Sequence, residues 1–215
     1  MKNIVILISG RGSNMEALIA ARDAGTLPVN IAAVISNRPE ALGLETAQRA
    51  GITAHFIDHK GFASREAFDA ALAECIDQFA PDLVVLAGFM RILTPGFVRR
   101  YEGRLLNIHP SLLPSFPGLH THQRALDEGV RIHGCTVHFV TAELDHGPVV
   151  IQAAVPVIDG DDEASLAARI LVQEHRIYPQ AVRWFAEDRL QLVDGKVRIA
   201  ADLDADRAFI SPELR

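Results

Sequence analysis

A continuous run of β-branched and aliphatic residues near the start of the chain, Ile4-Val5-Ile6-Leu7-Ile8, predicts a strand buried on both faces of a parallel sheet. A helix over residues 14–24 follows, and then a second strand of the same kind at Ile31-Ala32-Ala33-Val34-Ile35. The clearest helix begins at Ser64, a residue suited to capping, and sets Phe68, Ala71, Leu72, Cys75, Ile76 and Phe79 on one face before Pro81 stops it. Leu83-Val84-Val85-Leu86-Ala87 then reads as a central strand. Buried strands alternating with helices imply right-handed crossovers and a doubly wound sheet, whose carboxyl edges carry the chemistry.

The pattern changes further on. Residues 133–140 alternate Cys135, Val137 and Phe139 against Thr136, His138 and Val140, as in a mixed or antiparallel strand. Another strand over 149–157, a helix over 163–178 and a hairpin turning at Asp194-Gly195 complete the body. The expected class is a single α/β domain over residues 1–200: a twisted, mostly parallel sheet with helices on both faces and antiparallel strands in its C-terminal part. Residues 201–215, rich in Asp and Arg, are expected to form a tail.

Composition narrows this picture. At 215 residues, 49% hydrophobic and 22% charged, the chain fits one soluble core. Its longest apolar run, residues 83–90, is under half of a bilayer span, and the first apolar stretch ends at Ser9-Gly10 instead of forming a secretory leader. A cytoplasmic location with no membrane contact is expected. The two cysteines, Cys75 and Cys135, form no C-x-x-C pair, which argues against a disulfide scaffold or thiolate zinc site. With a net charge of −6 and no basic run longer than Arg99-Arg100, nucleic acid is not an expected partner. Of nine histidines, six lie between His109 and His146.

Ser9-Gly10-Arg11-Gly12-Ser13-Asn14 links the first strand to the first helix, where small residues let backbone N–H groups and a helix end approach a phosphate. The loop lacks the third glycine of a dinucleotide fingerprint, which falls at Met15, and the lysine of a P-loop. A plain tight turn with Ser13 or Asn14 as helix cap is the competing reading. Arg38, after the second strand, leaves an NADP-dependent reductase open.

The alternation of Leu105-Leu106-Asn107-Ile108-His109-Pro110 sends Asn107 and His109 to one side, and Pro110 ends the strand there. An amide can donate to a developing oxyanion, and an imidazole can stabilise it or move a proton. Asp145, in a turn between two strands, is a candidate to orient the imidazole; a turn-capping role is its alternative. His120-Thr121-His122 lacks a third ligand at defined spacing, so no metal is expected, and Pro117-Gly118 before it suggests a loop or helix start. His133 is expected at a satisfied surface or edge position, and His138 as a partly buried donor behind the site. Glu174 falls on the apolar stripe of Ile170, Leu171, Ile177 and Tyr178, where it either snorkels at the edge or accepts a hydrogen bond from a ligand.

Four segments in the same order resemble the folate-dependent glycinamide ribonucleotide formyltransferases of purine synthesis. They are Ile8-Ser9-Gly10-Arg11-Gly12-Ser13-Asn14, Leu86-Ala87-Gly88-Phe89-Met90-Arg91-Ile92-Leu93, Asn107-Ile108-His109-Pro110-Ser111-Leu112-Leu113-Pro114 and Pro117-Gly118-Leu119-His120-Thr121-His122. The resemblance spans residues 1–200 and implies a Rossmann-like formyltransferase fold using 10-formyltetrahydrofolate as co-substrate, without metal. It places the catalytic trio on Asn107, His109 and Asp145. It places the ribonucleotide phosphate on Gly12, Ser13 and Asn14, with Arg65 and Glu174 serving the same substrate. Met90, Arg91, Ile92, Leu93 and Asn107 would meet the folate, and Thr141, Ala142, Glu143, Leu144 and Asp145 would close around it. The implied partners are phosphoribosylglycinamide and a reduced folate, bound to a monomer or weak homodimer. Arg11 and His146 depart from the family's usual forms without removing a functional side chain.

Methionyl-tRNA formyltransferases and formyltetrahydrofolate deformylases share the trio. The former add a tRNA-binding domain and the latter an N-terminal regulatory domain, and neither is expected within 215 acidic residues. A deformylase-like hydrolase and an NADP-dependent reductase stand as the alternatives.

Overall fold

The computed structural model describes residues 1–200 together with 209, 211 and 212. The predicted tail otherwise lies outside the described residues. Five strands form most of the sheet: β1 (Lys2–Ile8), β2 (Val29–Ser36), β3 (Thr53–Phe56), β4 (Leu83–Leu86) and β5 (Leu105–His109). They pair in parallel, and β6 (Ile132–Phe139) and β7 (Val149–Pro156) extend the sheet antiparallel. The spatial order β3-β2-β1-β4-β5-β6-β7 reverses direction between β1 and β4, which opens a crevice at their carboxyl ends.

Both faces of β1 are buried, as its unbroken apolar run predicts. Ile4, Ile6 and Ile8 face α1 (Ser13–Asp23), α2 (Leu42–Arg49), α5 (Thr121–Asp127) and α6 (Glu163–Ala186), whereas Val5 and Leu7 face α3 (Arg65–Asp77) and α4 (Pro95–Arg100). The Ser64 hydroxyl accepts from the Ala67 N–H, capping α3 as its sequence suggests. Strands β8 (Leu190–Val193) and β9 (Lys196–Ile199) form the expected hairpin, turning through Asp194 and Gly195 at φ of 51° and 72°.

Two expectations on elements need correction. The helix expected to end at Tyr178 runs to Ala186, with Pro179 inside it. A proline there removes one ladder bond at a cost of about 3 kcal/mol, but the added turns bury Ala181 and Val182 completely and pack Trp184 and Phe185 on the same core. The face read on α3 also holds a carboxylate, Asp69, which is 4% exposed while Ala71 and Cys75 are half-buried. Tyr178 fastens α6 to the sheet, its hydroxyl lying 2.9 and 3.1 Å from the carbonyl oxygens of Leu86, the last residue of β4, and Leu106 on β5.

Candidate active site

Register decides the first part of the site. Asn107 on β5 pairs with His138 on β6, and His109 with Thr136. The Nδ1–H of His138 donates to the Phe139 carbonyl oxygen at 3.0 Å, leaving Nε2 as the acceptor for the Asn107 amide nitrogen at 3.2 Å. His138 is therefore a donor, as expected, but to the backbone, and it also receives a hydrogen bond from Asn107; at 2% exposed it is buried and not partly buried. Burial, foremost, lowers its pKa and keeps it the neutral acceptor this needs. One amide proton of Asn107 is thus fixed on His138, and the other is directed elsewhere.

His109 is 6% exposed, and both its ring nitrogens face oxygen acceptors. Nε2 lies 3.0 Å from the Phe116 carbonyl and Nδ1 lies 3.5 Å from Oδ2 of Asp145. Asp145 Oδ2 also accepts the Gly118 N–H at 2.8 Å, and Oδ1 lies 4.0 Å from His138 Nε2. The carboxylate reaches this place because the β6–β7 corner is tight: a Cβ on Gly147 would meet the Phe139 carbonyl oxygen at 1.7 Å, so only glycine fits. The sequence names Asn107, His109 and Asp145, and the fold brings all three together.

Thr136 and Gln152, which the sequence reading passed over, brace the loop beyond His109. Thr136 donates to the Ser111 carbonyl at 2.7 Å and accepts from the Leu113 N–H at 3.1 Å, and Gln152 donates to the Leu113 carbonyl at 2.9 Å. A threonine in a β-branched strand carries no polar signature of its own, so only the cross-strand register with His109 discloses this role.

His133 is not at the surface. It is 1% exposed, its ring packed edge-on between Phe116 and His122 at centroid distances of 5.6 Å, and its Nε2 has no hydrogen-bond partner among the described residues. Burial first, and then His122 and His109, push its pKa from 6.5 to about 4. The unfolded chain binds this proton near 6.5 and the folded chain resists until about 4, so across that window the unfolded state holds more protons and stability falls as pH drops. Denaturation midpoints are expected to be lower at about pH 5 than at neutral pH. His133→Gln is expected to shrink the difference; an undiminished difference would assign the dependence to other groups.

On the crevice's other side, the helix cap is Gly12, at φ 76°, and not Ser13 or Asn14. No side chain caps α1, so its first N–H groups point into the crevice. Asn14 instead turns inward and donates to Glu174 Oε2 at 2.7 Å. Glu174 is 7% exposed and does not snorkel, because α1 packs over it. Burial raises its pKa, partly opposed by the Asn14 hydrogen bond. The Asn14 Oδ1 is buried without a partner among the described residues.

Arg65 stands apart from this group. It begins α3, on the opposite face of the sheet from α1 and α6, one turn before Phe68. The Arg91 guanidinium lies over the Phe68 ring at 4.9 Å, so Arg65 sits on the side of residues 90–93. Met90 and Ile92 are 61% and 60% exposed, and Leu144 in the β6–β7 loop is 55% exposed. Thr141, Ala142 and Glu143 complete that loop, with the Thr141 hydroxyl donating to the Glu143 carbonyl at 3.2 Å. Among the described residues no group of three or more His, Cys, Asp or Glu is placed to hold a metal, and no helix is long and apolar enough to cross a membrane.

A mostly parallel sheet with an uncapped helix end at its switch point, and an Asn-His-Asp cluster further along the same edge on β5 and the β6–β7 corner, fits an acyl-transfer enzyme of the formyl transferase type. The chain belongs to the formyl transferase family, whose pattern matches residues 2–182. It is 55% identical to the phosphoribosylglycinamide formyltransferase of Escherichia coli K12, across 95% of both chains, and 46% identical to that of Haemophilus influenzae, across 90% and 92%. The glycinamide ribonucleotide transformylase 1 of Symbiobacterium toebii superposes with a TM-score of 0.91 at 51% identity, covering 93% of this chain and 94% of the other.

Proposed function

We propose that this protein transfers the formyl group of 10-formyltetrahydrofolate to the glycine amine of 5′-phosphoribosylglycinamide, yielding the N-formyl product and tetrahydrofolate in purine biosynthesis. The observation that supports the reading is the gathering of Asn107, His109 and Asp145 on the same carboxyl edge of the sheet that carries the open end of α1 and the exposed segment at residues 90–93. The amine nitrogen attacks the formyl carbon, a tetrahedral intermediate forms, and the carbon–N10 bond breaks as a proton passes from the amine to N10. The uncommitted amide proton of Asn107 stabilises the oxyanion. His109, held through Phe116 and Asp145, adds positive charge there and moves the proton.

Gly12, Ser13 and Asn14 receive the phosphate on backbone N–H groups and the end of α1, which explains anion binding by a chain of net charge −6. Met90, Ile92 and Leu144 offer apolar surface to the folate, with Arg91, Leu93 and the loop 141–145 around it. Arg65, on that face of the sheet, belongs with the folate and not with the phosphate. A monomer or weak homodimer in the cytoplasm completes the reading, and the free Cys75 and Cys135 fit a reducing compartment.

Turnover requiring both substrates and releasing tetrahydrofolate tests this reading. Folate consumed without ribonucleotide would favour a hydrolase, and NADPH oxidation without folate a reductase. Glu174→Gln, which keeps the shape and the Asn14 contact, is expected to weaken ribonucleotide binding roughly 10–100-fold, the loss for a charge-assisted hydrogen bond, with little effect on folding. Unchanged affinity in calorimetry would remove Glu174 from the site.

A further inference from the structure

The segment read above as meeting the folate is braced from beneath by two buried side chains. The parallel ladder between β1 and β4 ends at the pair Leu7 and Leu86. Gly88 then turns the chain at φ 76°, so residues 89–94 leave the sheet with no neighbouring strand to receive their N–H groups. Ser9 takes over where the ladder stops. Its N–H donates to the Gly88 carbonyl at 3.1 Å, and its hydroxyl oxygen accepts the Met90 N–H at 2.7 Å. The hydroxyl proton passes to Asn37 Oδ1 at 2.5 Å, and the Asn37 carbonyl accepts from His59 Nδ1 at 2.8 Å. Ser9 and Asn37 are 4% and 2% exposed, so this chain of hydrogen bonds is closed to competing water.

Asp69 holds the other end. Its Oδ2 accepts the Thr94 N–H at 2.6 Å, and among the described residues no Lys, Arg or His lies within 4.0 Å of its carboxylate. A carboxylate on the buried face of α3, without a cation, is costly to retain. What it contacts is the backbone at the end of this segment. Met90 and Ile92 therefore project into solvent from a backbone fixed at both ends.

We propose that Ser9 and Asp69 are positioning residues for the folate, setting the backbone from which residues 90–93 meet it. This rests on the assignment of residues 90–93 to the folate. With either anchor removed, binding must itself order the segment, so affinity for the folate falls while the phosphate loop's contacts and the trio stay in place.

Steady-state kinetics on the full-length enzyme, varying each substrate in turn, tests this. Ser9→Ala and Asp69→Ala are each expected to raise the folate KM roughly tenfold, equivalent to about 1.4 kcal/mol, with ribonucleotide KM and turnover at saturating folate near native. Asp69→Asn is expected to restore a near-native folate KM, because its amide oxygen accepts the same N–H. If Asp69→Ala does not fold, Ser9→Ala and Asp69→Asn carry the test. A folded Ser9→Ala with native folate KM, or one in which both KM values rise together, would overturn the proposal. Ile92→Ala separates the two levels of inference. A raised folate KM in Ile92→Ala beside a native one in Ser9→Ala defeats the positioning role alone, whereas a native KM in Ile92→Ala defeats the folate assignment and the proposal with it.

Discussion

Asp145→Asn is expected to lower turnover by about 10²–10⁴, the range for a positioned acid–base system, while the protein stays folded and binds ribonucleotide normally. The backbone accommodates the change, because Asp145 sits at φ 53° and asparagine is among the few residues that tolerate this region. The contact to the Gly118 N–H survives as well, since an amide oxygen accepts it as a carboxylate does. What changes is the carboxylate oxygen 3.5 Å from His109 Nδ1, the contact that would orient the imidazole in the proposed reaction. Turnover at saturating substrates, read beside calorimetric ribonucleotide affinity, makes the check. A variant within tenfold of native turnover would remove Asp145 from the reaction.

For Asn107→Ala the expected loss is about 10²–10³ in turnover, the usual effect of deleting one oxyanion donor, with a smaller effect on ribonucleotide affinity. The donor is unusually well fixed. His138, held by the Phe139 carbonyl, accepts one of the two amide protons, so the amide cannot flip without losing that bond. The cost of aligning the second proton is met during folding, before substrate binds. Near-native turnover in Asn107→Ala would sink the oxyanion role and with it the assignment of the trio.

Much of this was legible in the chain itself. The apolar run at residues 4–8, the Ser64 cap and the Asp194-Gly195 turn are local signals with local causes, and the elements stand where those signals put them. Asn107 and His109 were readable as a pair because strand alternation fixes which side they share, and Pro110 fixes where the strand ends. Glu174 was conspicuous as a carboxylate on an apolar stripe, although its partner was not. That partner, Asn14, lies 160 positions away in the chain.

The misses share one cause. The last helix was expected to end at Tyr178, because nothing local in the sequence records the burial of Ala181 and Val182 that carries it past Pro179. His133 looked like an edge residue because nothing nearby in sequence foretells Phe116 and His122 packing on its ring. For Arg65, sequence order does not say on which face of a sheet its helix packs, and the fold sets α3 on the face opposite α1 and α6.

The sequence by itself therefore determined the class of fold, and marked the loop after β1 and the residues Asn107, His109 and Asp145 as candidates, because strand alternation, helix capping and turn chemistry act over a few residues. Only the tertiary structure decided how those residues are held: which proton of Asn107 is free, what fixes His109, which face Arg65 occupies, and that Ser9 and Asp69 carry the backbone of residues 90–94. Each of these depends on hydrogen bonds or packing between segments far apart in the chain, and such contacts exist only once the sheet order brings the segments to one edge.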